Sequence, residues 1–332
     1  MDKKRFLWFL LAAAVFVAAG AAGVNSAARA RKASADVMEQ TMESLTGLMG
    51  SESKFSLPET SYVARVDVAG TIADSTGVSL GTAQTYAHKP TLEYIDALTA
   101  DENNLGILLY VDSPGGAIKT GDELYLKLMD YKKATGRPIW CYFDGMACSG
   151  GYYVAMAGDE ICANRNCLCV NIGVYISTYN FSGLFEKYGV EQVAFKSSEN
   201  KGIGMAGVPW TDEQKAIYQS IVDAYSAQFL EVVAAGRGMT TDQVRQLDDG
   251  REMVATQALS AGFIDAIDRY ENYEAAVLAA AGTDTLYEPA PAPVNLNSLM
   301  QYFSSVLPRS EADTLLDFAR TNSNIVVMAY AG

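Results

Sequence analysis

Leu105-Gly-Ile-Leu-Leu-Tyr-Val111 runs directly into Asp112-Ser-Pro-Gly-Gly116, and the fold class can be inferred from this junction. A nearly unbroken apolar run of this length is typical of a strand that is covered on both faces of a sheet. The proline and glycines after it indicate a tight turn, and a helical pattern follows at about residues 119–134. A strand, a glycine-rich turn and a helix in this order predict one unit of a parallel α/β sheet.

The same order recurs immediately downstream. An apolar run at residues 138–143 precedes Gly145-Met-Ala-Cys-Ser-Gly-Gly151, and a short helix is predicted over residues 150–157. Further strands are predicted at residues 62–68, 161–163, 173–177 and 190–195, and further helices at residues 181–188 and from Thr211 to about residue 235. The alternation of strands and helices predicts an α/β domain with a largely parallel sheet.

Four regions follow one another along the 332 residues. The basic residues Lys3, Lys4 and Arg5 precede an uncharged apolar run at 6–24, which is long enough to span a bilayer as a helix. We expect an uncleaved anchor, although small residues after the run leave cleavage open. The predicted regions are a transmembrane segment with its flank at 1–32, a helical linker at 33–59, an α/β domain at 60–282, and a Pro-Ala linker with a small extension at 283–332.

The overall charge excludes one class of partner. The chain carries a formal net charge of −14, with 49% hydrophobic and 19% charged residues. Nucleic-acid binding needs a basic surface for the phosphates, so we expect no nucleic-acid partner. An acidic surface that keeps an exposed domain soluble is the simplest interpretation of this charge.

The two glycine-rich turns are the candidate site. Open α/β sheets bind ligands at the carboxyl ends of their strands, and both turns are predicted there. Glycines allow backbone N–H groups to approach a substrate carbonyl, as an oxyanion hole requires. Ser149 is then the candidate nucleophile; the alternatives are that both turns are structural and that Ser149 only caps a helix. Cys148 is a rival nucleophile, but no base for it is evident and we expect it to be buried.

A base for Ser149 has to be found among few residues. The chain has one histidine, His88, which lies in a polar stretch before a proline and which we do not expect to be catalytic. A lysine can act instead if burial lowers its pKa from about 10.4 and so favours the neutral amine. Lys196 and Lys201 follow a predicted strand, and composition alone favours solvated loop residues at both positions.

The five cysteines are Cys141, Cys148, Cys162, Cys167 and Cys169. An odd number at close spacing does not indicate a disulfide framework. A metal site at the last three stays open, but no histidine lies nearby and we expect none. We expect the five cysteines to serve as small apolar residues of the core, and the sequence indicates no metal or other cofactor.

Several ordered motifs between residues 62 and 280 resemble the signal peptide peptidase A (protease IV) family, serine-lysine peptidases with a ClpP/crotonase-like fold. They are Asp112-Ser-Pro-Gly-Gly116, Ser149-Gly-Gly-Tyr-Tyr153, Ile172-Gly-Val174, Lys196-Ser-x-x-x-Lys201, Gly236-Arg-Gly-Met239, Asp249-Gly-Arg251 and Gly262-Phe-Ile-Asp265. The resemblance implies that Ser149 is the nucleophile and that Lys201, not Lys196, is the general base. It also implies an oxyanion hole formed by Gly150 with Gly115 or Gly116. This chain has Asn171 where the family has a serine that could hydrogen-bond the lysine, so Asn171 is a possible lysine partner.

The resemblance further implies how the protein works. Expected substrates are apolar peptides such as released signal peptides, and no cofactor is needed. Family members with one copy of the unit form ring-like homo-oligomers, octamers in the best understood form, in which serine and lysine come from neighbouring subunits. We expect a single-pass protein of the cell membrane with its catalytic domain on the extracytoplasmic side. Two alternatives stay open, a crotonase-like acyl-CoA enzyme and a catalytically inactive membrane scaffold.

Overall fold

The computed structural model describes residues 55–74, 86–246 and 249–289. The predicted anchor, most of the helical linker and the C-terminal extension beyond residue 289 lie outside these ranges. Within the described residues no helix has both the length and the apolar character needed to cross a membrane.

One eight-stranded sheet organises the described residues. Its strands are β1 (Tyr62–Ala69), β2 (Asn104–Ser113), β3 (Ile139–Cys148), β4 (Glu160–Ala163), β5 (Leu168–Val170), β6 (Glu252–Val254), β7 (Ala266–Ile267) and β8 (Leu286–Tyr287). The helices are α1 (His88–Ala100), α2 (Ile118–Thr135), α3 (Gly150–Ala155), α4 (Ser182–Tyr188), α5 (Asp212–Arg237), α6 (Thr241–Arg245), α7 (Ala255–Ser260) and α8 (Tyr270–Ala281).

The strand order is β6-β5-β3-β2-β1-β8, and β4 pairs with both β3 and β7. Only β5 and β6 pair in antiparallel fashion, so the prediction of a largely parallel sheet is confirmed. The central strand β3 has two different neighbours on one side. Its first half pairs with β4, and Met146 to Cys148 pair with β5. This division brings β5 against the end of β3, just where Ser149 follows.

The position of the central strands in the core explains why their sequences are continuous apolar runs. Ile107, Leu108, Leu109 and Val111 of β2 are fully buried, because the strand has a neighbour on each side and side chains packed on both faces. Burying one such side chain contributes about 1.5–3 kcal/mol. The helix α2 begins after the turn at 112–116, and its Leu124 and Leu128 pack into the same core.

Helix α1 was not predicted, and its first residue corrects the interpretation of His88. The histidine lies in a polar stretch of sequence, yet it is only 2% exposed and begins a helix. Its Nδ1 lies 2.8 Å from the Tyr86 hydroxyl, and its Nε2 lies 2.9 Å from a carboxylate oxygen of Glu123 on α2. Pro90 is compatible with the helix because it lies in the first turn, where no intrahelical N–H donor is needed. His88 therefore joins α1 to α2.

Two predicted strands are wrong. Residues 173–177 and 190–195 contain no strand. Strands need a neighbouring strand for their backbone hydrogen bonds, and no described strand pairs with either stretch. Val174 and Ile176 are half-buried, and the other large apolar side chains are exposed, most of all Phe195, which is 99% exposed. The helix predicted between them is present as α4, and the predicted cap Thr211 accepts a hydrogen bond from the Gln214 N–H at the start of α5.

Candidate active site

Ser149 stands between β3 and α3 in a strained backbone conformation. Its φ is 49° and its ψ is −117°, and its N–H donates to the Val170 carbonyl at 2.9 Å. A non-glycine residue in such a region costs on the order of 1–3 kcal/mol. Ser149 occupies the N-cap position of α3, as the structural alternative expected, but its side chain makes no capping hydrogen bond. The hydroxyl of a half-buried serine is left available.

Backbone strain is concentrated around this serine. Among the described residues, only Ser149, Val170 and Asn171 combine a positive φ with a side chain. Val170 is the most unusual of the three, because its φ is 77° and a β-branched residue is poorly tolerated there. A hydrogen bond joins Ser149 to Val170, and Asn171 is the next residue in the chain. Strain of this kind persists only where the surrounding structure enforces it, and it clusters at functional sites.

The two glycine-rich turns lie side by side, as their placement at neighbouring strand ends predicts. A Cβ atom built on Gly115 would lie 2.8 Å from the Ser149 Cβ and 2.7 Å from the Gly150 nitrogen. A Cβ built on Gly116 would lie 2.1 Å from the Ile72 carbonyl oxygen. Glycine is therefore required at both positions, since a side chain at Gly115 would push the turns apart and one at Gly116 would displace Ile72.

The backbone amides of these turns are not equivalent. The Gly115 N–H donates to the Ser113 hydroxyl at 3.1 Å. The N–H groups of Gly116 and Gly150 have no acceptor among the described residues. They are also close together, because the Gly116 nitrogen lies 3.2 Å from the place where a Cβ of Gly150 would be. Two neighbouring amides beside Ser149 are thus free to bind an oxygen atom.

Asn171 adjoins the same site through β5. Its side-chain Nδ2 donates to the Gly250 carbonyl at 2.6 Å, which ties residue 171 to the turn at 249–251. Its Oδ1 makes no hydrogen bond with the described residues. Asn171 can therefore hold that turn and still accept a hydrogen bond from a nearby amine.

Lys201 lies in a turn that is fastened to the start of α5. Asn200 donates to the Glu213 carboxylate at 3.1 Å, and the Tyr218 hydroxyl donates to the Ile203 carbonyl at 3.4 Å. The Lys201 side chain is exposed and makes no hydrogen bond or ion pair with the described residues, Ser149 included. Lys196 is exposed as well. The single chain therefore brings Ser149 together with the glycines and Asn171, and it does not join Ser149 to either lysine.

All five cysteines are buried and free, which confirms their predicted role in the core. Burial, with a smaller contribution from the Glu252 charge, raises the pKa of the Cys148 thiol to about 12. The thiolate is the nucleophilic form, so Cys148 is a poor rival to Ser149. In the described part of the chain, no group of three or more His, Cys, Asp or Glu side chains is arranged so that it could hold a metal ion.

Two further residues of the site were missed by sequence reasoning. The Asp112 carboxylate accepts a hydrogen bond from the Met146 N–H at 3.0 Å and so joins the two turns. Ser113 is fully buried, and its hydroxyl bonds to the Gly115 N–H two residues on. A serine two residues before a turn glycine is the sequence signal of such a local bond, and it could have been recognised.

Comparison with known proteins gives two family matches. The sequence model of Peptidase family S49 matches residues 131–283, and that of Clp protease matches residues 62–169. A solved structure of a ClpP1 mutant from Listeria monocytogenes aligns with 63% of this chain and 92% of its own, at a TM-score of 0.42 and 13% identity.

Three relatives illustrate the similarity. "Putative signal peptide peptidase SppA" of Enterococcus faecium is 36% identical over 63% of this chain and 61% of its own length. A "Putative protease" of Synechocystis is 30% identical over 69% of this chain and 80% of its own length. "Serine protease SPPA, chloroplastic" of Arabidopsis thaliana is 26% identical over 53% and 26%. The chain thus spans less than two thirds of the Enterococcus relative and about a quarter of the Arabidopsis one.

Proposed function

Since this chain belongs to the signal peptide peptidase A family, a family of peptidases, we propose that it is a serine endopeptidase with Ser149 as nucleophile and Lys201 as general base. One observation carries this proposal: Ser149 is held at a φ of 49° with its hydroxyl uncommitted, next to two backbone amides that have no acceptor among the described residues. A serine with a free hydroxyl beside free N–H groups supplies the nucleophile and the oxyanion donors that acyl transfer requires.

The reaction has two halves. The Ser149 Oγ attacks the peptide carbonyl carbon while a neutral Lys201 amine accepts the hydroxyl proton. The oxyanion then collapses to an ester, the C–N bond breaks, and the leaving amine takes from Lys201 the proton that came from Ser149. Water attacks the resulting ester after Lys201 has accepted one of its protons, and that proton returns to Ser149 as the acid product leaves.

For the oxyanion hole we propose Gly116 and Gly150. The Gly115 N–H is engaged by Ser113, whereas the other two N–H groups are free and adjacent. Removing one donor from such a site typically costs about 10²–10³-fold in kcat. Asn171 fits the role of a lysine partner, because its free Oδ1 is a suitable acceptor for the amine.

We propose that the lysine reaches Ser149 from a second copy of the chain in a ring-like homo-oligomer, of octamer type. The support is the segment that carries Lys201, residues 173–210, which we call the lysine segment. It exposes a set of large apolar side chains: Tyr175, Tyr179, Phe181, Leu184, Tyr188, Val190, Val193 and Phe195. Large apolar side chains exposed in such number within one segment are a feature of protein interfaces. Packing against a neighbour would also remove water from the amine and favour its neutral form.

We further propose that the substrates are apolar peptides such as released signal peptides. We also propose that residues 6–24 anchor the protein in the cell membrane, with the catalytic domain on the extracytoplasmic side. The apolar run is of spanning length, and the short basic stretch before it suits a cytoplasmic N-terminus. An anchored site would lie close to where such peptides are left after cleavage. The name of the Enterococcus relative supports the same substrate class.

The decisive experiment compares peptide hydrolysis by wild type, Ser149→Ala and Lys201→Met. The substrate is a fluorogenic peptide with a small or apolar residue before the cleaved bond. We expect both variants to lose at least about 10³-fold in kcat, because each removes a partner in proton transfer or bond formation. Lys196→Met is the matched control, since it removes a second exposed lysine of the lysine segment, and we expect it to stay within about twofold of wild type. Equal rates in all four proteins would contradict the proposed mechanism.

A further inference from the structure

Ser113 is placed where its hydroxyl links three parts of the site. The side chain is fully buried at the end of β2. Its Oγ donates to the Gly70 carbonyl oxygen at 2.6 Å and accepts the Gly115 N–H at 3.1 Å. A buried hydroxyl whose donor and acceptor capacities are both used holds its two partners at a defined separation.

Gly70 belongs to a short strap that runs along the oxyanion turn. The strap is residues 70–72, directly after β1. The Gly70 N–H donates to the Asp112 carbonyl, the Ile72 N–H donates to the Gly115 carbonyl, and the Ala117 N–H donates to the Ile72 carbonyl, each at 2.8 Å. These three bonds fasten both ends of the turn to the strap and leave the Gly116 N–H unbonded.

The direction of the Gly116 N–H is fixed by this arrangement. The Gly115 carbonyl and the Gly116 N–H belong to one planar peptide group and point in opposite directions. Ile72 binds that carbonyl, so it also determines where the N–H points. Ser113 controls the preceding peptide through the Gly115 N–H and holds the strap through Gly70. Because Gly115, at a φ of 102°, is conformationally free, its peptides would rotate easily without these bonds.

Ser113 also lies against the turn that carries the nucleophile. A Cβ built on Gly151 would lie 3.2 Å from the Ser113 Cβ and 3.0 Å from the Ser113 carbonyl oxygen. The residue therefore contacts both turns, and a change in its position would alter their separation.

We infer that Ser113 is a positioning residue for the oxyanion hole. By joining the strap to the turn, its hydroxyl aligns the Gly116 N–H with the Gly150 N–H. This inference rests on the proposed function, because an oxyanion forms only if Ser149 attacks a carbonyl. Ser113 does not touch the substrate. Its effect is confined to the stage at which negative charge develops on the carbonyl oxygen.

The test is Ser113→Ala, assayed on the full chain for kcat, KM and inhibition by a peptide aldehyde. The aldehyde forms a tetrahedral adduct with the serine and reports on the oxyanion hole. We expect kcat to fall about 10–100-fold and the aldehyde to bind more weakly by a similar factor. KM and the affinity for an uncleaved D-peptide competitor stay within about threefold, because ground-state binding does not use the oxyanion donors.

Two variants test the hydroxyl itself. Ser113→Thr keeps a donor and acceptor and should restore most of kcat. Ser113→Cys keeps the volume but has a weak donor, so it should behave like Ser113→Ala, and it carries the test if the alanine variant is too unstable to assay. Tyr131→Phe is the control: it removes another buried hydroxyl, which donates to Asn104 at the far end of β2, and should lower stability without changing kcat.

The outcomes separate the inference from the proposed function. Suppose that Ser149→Ala abolishes activity, whereas Ser113→Ala and Ser113→Cys leave kcat and aldehyde affinity unchanged. That result would overturn the role of Ser113 and leave the proposed function standing. Hydrolysis that survives Ser149→Ala would overturn the proposed function, and the inference with it.

Discussion

At the scale of single residues, the conformation of Ser149 opposes stability. A φ of 49° costs a serine on the order of 1–3 kcal/mol, whereas glycine adopts it freely. We therefore expect Ser149→Gly to be inactive yet more stable than Ser149→Ala by about 1 kcal/mol, after allowance for the greater unfolded-state freedom of glycine. Urea denaturation of the two variants measures this difference. Ser182→Gly is the control, because Ser182 has no positive φ and glycine there should not stabilise; equal stability of the two Ser149 variants would contradict the strain.

A second prediction concerns the space beside Gly116. A methyl group there would meet the Ile72 carbonyl oxygen, so Gly116→Ala must displace the strap or the turn. We expect kcat to fall by about 10²-fold or more, with a loss of stability of about 2–3 kcal/mol, as measured by peptide hydrolysis and denaturation. Gly136→Ala is the matched control, because Gly136 also has a positive φ but a Cβ there meets nothing within 4 Å. It should lose some stability and no kcat; a similar kcat in both variants would refute the oxyanion role.

The sequence predicts that the two glycine-rich turns are adjacent, but it does not predict which backbone N–H groups are free, because that depends on individual contacts. Adjacency of the two turns follows from their positions at the ends of neighbouring parallel strands, and the structure confirms it. The proposed choice of Gly116 over Gly115 rests on which N–H group is already bonded, and that depends on one side-chain contact of Ser113. The strain at Val170 has no sequence signal, since valine is a residue that patterns assign to ordinary strands.

At the scale of elements, the ion pair between Arg237 and Asp265 joins the end of α5 to the segment before β7. Arg237 donates to both carboxylate oxygens at 2.6 and 2.9 Å, and the Ile161 N–H donates to the same carboxylate at 2.8 Å. Burial alone would raise the pKa of Asp265, but these hydrogen bonds outweigh it and hold the pKa below its ordinary value of 3.8. The stabilisation is therefore complete above that value and is lost as the pH falls below it.

We expect Asp265→Asn to lower the free energy of unfolding at pH 7 by about 1–2 kcal/mol, since the carboxylate is partly exposed and its charge is screened. The difference between wild type and variant should shrink as the pH falls from about 5 to 2, because wild type then loses the same charge. Chemical denaturation across this pH range measures it. Asp212→Asn, at an exposed ion pair with Lys215, is the control and should stay close to wild type throughout. A difference that grows on acidification would contradict the sign of the pKa shift.

Elements buried on both faces were the ones predicted well. Strands β1 and β2 are long, apolar and central, so burial and pattern agree. The runs at 173–177 and 190–195 have a strand-like pattern without a strand neighbour, and they lie in the exposed lysine segment. Helix α1 was missed because its start, His88-Lys-Pro90, has no capping side chain and a proline in its first turn. Pattern alone does not distinguish an apolar surface that faces the core from one that faces another chain.

At the scale of the whole molecule, the proposed ring predicts that Lys201 of one subunit serves Ser149 of its neighbour. The single chain does not join Lys201 to Ser149, and the lysine segment exposes the apolar surface that a neighbour would cover. In a ring each subunit would give its serine to one site and its lysine to the next. Two inactive variants could then form active sites together, provided that each supplies the residue that the other lacks.

We expect Ser149→Ala and Lys201→Met, inactive alone, to regain about a quarter of wild-type activity when co-expressed in equal amounts, because random assembly gives one site in four both native residues. Purified mixed oligomers, assayed with the fluorogenic peptide, measure this. The control is wild type co-expressed with the double variant. It should keep about a quarter of the activity if the site is shared between subunits, and about half if each chain supplies both residues. Inactive mixtures of the single variants, with half activity in the control, would place Lys201 and Ser149 in the same chain and contradict the shared site.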